Sequence, residues 1–426
     1  MIVGILGGGL SGITLQRHLN LESEVLEKEN RIGGLCRTFE KNGFFYDIGG
    51  HILFSKNQIV LDFIENILGD EGNHCKRNNK ILYKGRYVKY PFENGLNALD
   101  KDDVFDCLIN FIKNDYPSPG NFREWIYHTF GSGIAERYLI PYNEKLWKFP
   151  LSGMSLEWVE RVPQPSIDDV VKSAIGIETE GYLHQLYFNY PKHGGIETLI
   201  KKIKKKNGRI ITDFCIRRIK QHKDGWIVSD GDTEKFYQKI IITFPIKEAI
   251  DCFSDVPDSL RRAVSNLYHN KVRTILVGVN NESLMNYSAI YVPQNDAAFH
   301  RICYMGYFSK FTVPPGKSSV IAEVTTRSGQ QWFNTSDDAL IEKVVSDLDK
   351  FNIINKEDVD TVDIQNIEYG YIIYDADYSK NIKIIRDYFS SIGVELVGRF
   401  AEFEYINMDE AIRRSILMAD KLSASI

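Results

Sequence analysis

An apolar run ending in three spaced glycines constrains this chain more than any other feature of it. Residues 3–12 read Val-Gly-Ile-Leu-Gly-Gly-Gly-Leu-Ser-Gly, which gives Gly7-x-Gly9-x-x-Gly12 with Leu10 and Ser11 in the intervening positions. A second short stretch, Glu24-Val-Leu-Glu27, then ends in an acid. This is the pattern of a strand, a tight turn and a helix that hold a dinucleotide. Gly7 permits the turn, Gly9 lets the backbone approach a pyrophosphate, and Gly12 lets helix and strand pack closely. The helix N-terminus offers unpaired N–H groups to the phosphates. Glu27, with Lys28 beside it, stands where a ribose hydroxyl is bound.

Two further glycine pairs follow. Gly33-Gly34-Leu35 sits in Arg31-Ile-Gly-Gly-Leu-Cys-Arg-Thr38, and Gly49-Gly50-His51 sits in Phe45-Tyr-Asp-Ile-Gly-Gly-His-Ile-Leu-Phe54. Simple nicotinamide dehydrogenases do not usually carry the Gly33-Gly34 pair after the second strand, whereas flavoproteins of the amine-oxidase type do.

The rest of the composition excludes more than it suggests. The net charge of −5 over 426 residues gives no general affinity for nucleic acid, so an anionic substrate needs a local group of arginines. The one basic block, Lys201 to Lys206, reads as a solvated helix end. Six scattered cysteines without a CxxC pair and nine histidines without metal-ligand spacing argue for a reducing compartment and no metal. No run of eighteen apolar residues occurs, and the glycine-filled N-terminus is no secretion signal. The expectation is a cytoplasmic enzyme with no membrane span.

Periodicity divides the chain into an α/β protein with a discontinuous Rossmann-like domain. Residues 1–90, 190–255 and 390–426 are assigned to the dinucleotide-binding domain. Residues 91–189 form a helical insertion, and residues 256–389 a mostly antiparallel sheet domain. Asp103 to Ile112 is amphipathic at helical spacing, and Ser336 caps a helix that runs over Leu340, Val344, Val345 and Leu348. Asp409 to Leu422 forms a final helix.

In order along the chain, several segments resemble the UDP-galactopyranose mutase family, and its eukaryotic-type branch in particular, within the FAD-dependent amine oxidase and protoporphyrinogen oxidase-like superfamily. They are the three glycine motifs, Val88-Lys-Tyr-Pro-Phe92, Gly131-Ser-Gly-Ile-Ala135, Pro141-Tyr-Asn143 with Trp147, and Trp158-Val-Glu-Arg-Val162. Tyr190-Pro-Lys-His-Gly-Gly195, Phe299-His-Arg301, Gly370-Tyr371, Gly398-Arg-Phe400 and Tyr405-Ile-Asn-Met408 complete the set. The resemblance implies a mutase that interconverts the pyranose and furanose forms of a UDP-sugar. It implies reduced FAD as cofactor, with flavin N5 attacking the anomeric carbon and expelling UDP, and NAD(P)H or another reductant to reduce it.

Residue by residue, the resemblance implies that Arg161 and Arg301 grip the diphosphate, as planar, always-charged donors suit a departing anion. Tyr291, Tyr371 and Tyr405 add phenolic donors. Asn143 and Trp147 stand near uridine and sugar, and Tyr90 and Phe92 near the uracil. His51 lies against the isoalloxazine. Arg399 stands at the flavin carbonyl edge, Asn407 and Met408 at its ribityl side, and Ile216 also touches the cofactor. Two positions depart from the family. Phe308 stands where another phosphate-binding tyrosine is expected, with Tyr307 or Tyr304 as substitutes, and Glu93 stands where the eukaryotic-type pattern has Gln. The competing assignments are an FAD-dependent oxidoreductase of the amine oxidase, protoporphyrinogen oxidase or desaturase type, which needs no arginines facing a diphosphate, and a non-catalytic FAD-containing scaffold.

Overall fold

The computed structural model describes residues 2–162, 164–181, 186–282 and 284–424, the side chains of Glu160 and Arg161 excepted. A parallel five-stranded sheet forms one layer. Its strands, in spatial order, are Glu395–Leu396, Lys239–Ile242, Ile2–Leu6, Glu22–Leu26 and Arg209–Ile211. Alternate side chains point to opposite faces. Val3, Ile5, Val25 and Ile241 pack with the helices Leu10–His18 and Met408–Ala424, whereas Leu6, Leu26, Ile240 and Ile242 pack on the other side with Trp226, Ile250 and Phe389. Burial on both faces explains why these strands read as continuous apolar runs. Each such side chain contributes about 1.5–3 kcal/mol. The antiparallel meander Arg218–His222, Gly225–Ser229 and Glu234–Tyr237 covers the second face.

The second layer is a seven-stranded sheet ordered Val359–Ile373, Tyr268–Val279, Ser318–Thr326, Arg301–Tyr304, Ala289–Tyr291, Asn79–Tyr83, Arg86–Lys89. Its pairings are antiparallel except that of Ala289–Tyr291 with Asn79–Tyr83. Residues 79–89, read from sequence with the nucleotide segment, therefore hydrogen-bond into the large sheet. The register sets Tyr291 opposite Arg301, Arg301 opposite Glu323, and Glu323 opposite Thr274. Directly opposed residues share a face, so this row gathers polar side chains from four strands.

Against the large sheet, at Ile81, Val88, Val272 and Ile373, pack the helices Lys101–Ile112, Phe122–Ile134 and Ile140–Trp147, the last two joined by a π-turn over Ala135–Leu139. Asn121 caps the second helix by accepting from the Glu124 N–H. The helix Asp337–Lys350 begins after Ser336, whose hydroxyl accepts from the Ala339 N–H, and buries the four apolar residues that its periodicity marks. No helix among the described residues is long and apolar enough to cross a membrane.

Candidate functional site

A cavity of about 1530 Å³ runs from the first glycine motif to the helical insertion. Single small-molecule pockets occupy roughly 300–1,000 Å³, so this one has room for a dinucleotide and a second ligand. At one end the two glycine motifs meet. Gly33 N–H donates to the Gly8 carbonyl at 2.9 Å, and a Cβ on Gly34, at φ +55°, would lie 3.1 Å from the Gly9 Cα. A Cβ on Gly12 would lie 2.1 Å from the Gly7 carbonyl oxygen. Gly12 thus sits behind the wall, where it lets the helix approach the strand. The Glu27 carboxylate accepts from the Gly8 N–H at 2.7 Å and the Glu29 N–H at 3.0 Å. Two oxygens have about four lone-pair sites, so a ribose hydroxyl can still donate to it. Gly7, Gly9, Leu10, Ser11, Glu27, Lys28, Gly34, Leu35 and Ile216 line this end, and Lys28 pairs with Glu248 at 2.9 Å.

The middle of the cavity is lined by Gly50, His51, Arg399, Asn407 and Met408. Asn407 and Met408 start the C-terminal helix Met408–Ala424, so its N–H groups face the cavity. His51 Nδ1 and Arg399 Nε are buried without a hydrogen-bond partner among the described residues. Two orphaned nitrogens on one wall fit a polar heterocycle between them. Burial, together with the charges of Arg399 and Arg301, lowers the His51 imidazole to about 4, so it is neutral at pH 7. The loop is fixed from behind. Asp47 accepts hydroxyl bonds from Thr38 and Tyr190, each at 2.6 Å, and a bond from the Ile196 N–H at 3.2 Å. Burial nevertheless pushes its carboxyl up to about 7. Gly49 lies off the wall beside Glu323.

Beyond this, the polar row of the large sheet faces the cavity. Arg301 Nε donates to Glu323 Oε1 at 3.0 Å, and its Nη2 donates to both carboxylate oxygens at 2.7 Å. The Glu323 side chain is 2% exposed and that of Arg301 24%, so the pair presents its cation. Glu323 also accepts from the Gly50 N–H at 3.2 Å and the Tyr371 hydroxyl at 3.3 Å, and Thr274 donates to the Ile48 carbonyl. One buried carboxylate therefore orients the arginine and anchors the His51 loop. Tyr291, Tyr371 and Tyr405 line the wall near it, and Tyr371 and Tyr405 stack at 5.9 Å. Burial raises the phenols of Tyr291 and Tyr371, which keeps them protonated as donors. The Arg399 guanidinium lies 4.1 Å from the Tyr405 ring centroid.

At the far end Tyr90 stacks on Tyr291 at 4.5 Å, and Pro91, Glu93, Phe130, Tyr138, Tyr142 and Asn143 complete the lining. Two of the expected substrate contacts lie off the cavity wall. Phe92 and Trp147 are fully buried behind the wall: Phe92 stacks on Tyr138 at 5.2 Å, and Trp147 Nε1 donates to Asn143 Oδ1 at 3.0 Å. Their apolar bulk favours the core over the cavity. Neither proposed substitute for the missing tyrosine lines the cavity. Tyr307 donates to the Lys76 carbonyl at 2.6 Å, Tyr304 is buried in the large-sheet core, and Phe308 itself packs on Phe188 and Tyr190. The Arg161 backbone ends the 3₁₀ segment Leu156–Arg161, but its side chain lies outside the described residues. Sequence reading passed over Glu323, which only strand register reveals, and Arg77, which lines the cavity with its guanidinium 5.1 Å from the Phe54 ring centroid.

The chain resembles several known proteins. It is 26% identical over 214 residues to the UDP-galactopyranose mutase of Mycoplasma pneumoniae, a match that covers 47% of this chain. It is 25% identical over 177 residues to the enzyme of that name from Mycoplasma genitalium, covering 37% of this chain and 42% of that one. The chain spans about half the length of the curated relative from Mycoplasma pneumoniae, 51%. Its fold superposes on a crystal structure of reduced UDP-galactopyranose mutase with a TM-score of 0.91 at 24% identity, covering 100% of this chain and 96% of that one. A putative protoporphyrinogen oxidase from Exiguobacterium gives 0.80 at 16%, covering 100% and 99%. Residues 11–366 match the flavin containing amine oxidoreductase family as a whole, and the chain belongs to that family.

Proposed function

We propose that this protein is a flavin-dependent mutase interconverting the pyranose and furanose forms of a UDP-sugar of the UDP-galactose type. The observation that carries the reading is Arg301, held by the buried Glu323 and ringed by Tyr291, Tyr371 and Tyr405, on the same cavity as the glycine cradle. The similarity to the two mycoplasma mutases supports it. FAD fits the cradle, with Glu27 at the ribose, the glycine backbone at the pyrophosphate and His51, Arg399, Asn407 and Met408 around the ring. When bound and reduced, the flavin supplies the nucleophilic nitrogen for the anomeric carbon.

The chain's own groups do the remaining work. Glu323 fixes the guanidinium plane through two of its three nitrogens, and the remaining edge of Arg301, beside the Tyr291 phenol, is the one that can turn to a departing diphosphate. Preorganised donors of this kind stabilise developing charge by about 2–4 kcal/mol each. The protonated phenols of Tyr291 and Tyr371 add donors that cost no charge, and Arg161 is assigned the second diphosphate contact. Neutral His51 can exchange a proton or hydrogen bond at the ring face without repelling Arg399. The Pro141-Tyr142-Asn143 motif with Trp147 supports a mutase over other flavoproteins of this type; the eukaryotic-type branch is proposed with it, as is NAD(P)H or another reductant to reduce the cofactor. An oxidase of amines or polyenes is less favoured, because it has no ligand anion to set against the face of Arg301 that Glu323 leaves toward the cavity. The test is to reduce the purified holoenzyme, incubate it with UDP-galactopyranose and separate the nucleotide sugars. Appearance of the furanose form only after reduction is expected. No interconversion by the reduced holoenzyme would refute the reading.

A further inference from the structure

The polar row of the large sheet continues behind the cavity wall, into a residue that the chemistry above does not use. His300 directly precedes the strand Arg301–Tyr304, is 1% exposed, and does not line the cavity. Its main-chain N–H donates to the Glu323 carbonyl at 3.0 Å, which ties it to the strand that carries the carboxylate. Both ring nitrogens have polar neighbours. Nδ1 lies 3.3 Å from the Thr325 hydroxyl, and Nε2 lies 3.4 Å from the Tyr371 hydroxyl and 3.8 Å from Glu323 Oε2. The Tyr371 hydroxyl in turn lies 3.3 Å from that same carboxylate oxygen.

A neutral imidazole has one nitrogen that donates and one that accepts, and its neighbours decide which. His300 is neutral. Burial holds it well below the usual histidine range, helped by the charges of Arg301, Lys145 and Lys148, and the Glu323 charge beside it is already matched by the Arg301 guanidinium. Two arrangements are then open. With the proton on Nδ1, the ring donates to Thr325 and its Nε2 lone pair faces a carboxylate oxygen, which repels it. The phenol proton of Tyr371 is then drawn to the ring and away from the cavity. With the proton on Nε2, Thr325 donates to Nδ1, Nε2–H donates to the phenol oxygen, and the phenol donates to Glu323. Every donor in this chain has an acceptor, and every bond runs toward the negative charge.

We propose that His300 is a positioning residue for Tyr371: its Nε2–H holds the phenol oxygen and so keeps the phenol proton for anions, Glu323 before substrate binds and the diphosphate once it has. The inference rests on the UDP-sugar reading above and deepens it. The phenol oxygen stays in place while its proton turns from one acceptor to the other, so the donor is set before charge develops on the leaving group.

The test has a spectroscopic arm and a kinetic arm. Nitrogen-15 NMR of the histidine-labelled, substrate-free holoenzyme distinguishes protonated from unprotonated ring nitrogens, and the His300 signals are those lost in His300→Gln. A protonated Nε2 with a bare Nδ1 is expected, and the reverse would overturn the inference without touching the UDP-sugar reading. In the kinetic arm, the amide of His300→Gln can place an N–H near the position of Nε2, whereas that of His300→Asn reaches only the position of Nδ1. With UDP-galactopyranose and reduced holoenzyme, kcat is expected within about threefold of wild type for His300→Gln and about tenfold lower for His300→Asn, with smaller changes in KM. In a Tyr371→Phe background the two variants are expected to turn over alike, because the group they act through is gone. Equal kcat for the two variants with Tyr371 present, or a difference that persists without it, would overturn the inference. No interconversion by the reduced wild type would refute the UDP-sugar reading and this role together.

Discussion

The two halves of the cavity are built by different means. The cradle end is made of backbone: Gly8, Gly9, Gly33 and Gly34 come together because they lack side chains, and Glu27 is fixed by main-chain N–H groups. The far half is made of side chains brought from separate strands, with Tyr291, Arg301, Glu323 and Thr274 in one row and Tyr371 beside them. Backbone sites depend on spacing and tolerate almost no added atom. Side-chain sites depend on register and charge pairing, and can be retuned one residue at a time.

The sharpest way to break the contrast is at the cradle. Gly12→Ala forces a Cβ to within 2.1 Å of a carbonyl oxygen. It is expected to abolish flavin retention and to destabilise the fold by about 3 kcal/mol or more, read as loss of the flavin absorbance in the purified protein together with a lowered thermal midpoint. Full flavin content in this variant would contradict a cradle set by backbone contact. Arg301→Ala comes next. Flavin should be retained while turnover falls roughly 30- to 1,000-fold, matching about 2–4 kcal/mol of lost transition-state stabilisation. Steady-state kinetics of the reduced enzyme decides it, and unchanged kcat would separate Arg301 from the reaction.

Glu323→Gln is a milder test of the same half. The arginine stays but its orientation relaxes, and the tie to the Gly50 N–H weakens. A fall of about 10-fold in kcat with a smaller change in KM is expected. A rise in KM alone would mean that the carboxylate serves ground-state binding. The smallest effect concerns Glu93 and stability. Burial pushes its carboxyl up to about 7 in the folded chain, against 4.5 for an ordinary glutamate. The associated stability is therefore complete below about 4.5 and is lost as pH rises through 7. Glu93→Gln should be more stable than wild type at about pH 8, by roughly 1–3 kcal/mol, and closer to it at about pH 5. Thermal midpoints at the two pH values check the sign.

The same contrast explains what the sequence made legible. Gly7, Gly9, Gly34 and Glu27 announce themselves because a backbone site leaves a fixed local spacing. The Ser336-capped helix is legible for a similar reason, its apolar period and cap lying within one short segment. Arg301, Tyr371 and Arg399 carry no local signal of their own and were reached only through resemblance. Glu323 had neither kind of signal: within Ser318–Thr326 it is one acid in a strand, and only pairing with Arg301 gives it a role. Phe92 and Trp147 show the opposite case. Their motif context pointed to a ligand, but large apolar rings gain more from full burial, and both ended behind the wall they support.

The most direct test of the account is a crystal structure of the reduced holoenzyme with UDP-galactose bound. The account predicts the diphosphate on the Arg301 guanidinium, the sugar between it and the flavin, and the base at the far end of the cavity beside Tyr90. A diphosphate bound away from Arg301, or a nucleotide with its base turned toward the glycine cradle, would contradict it.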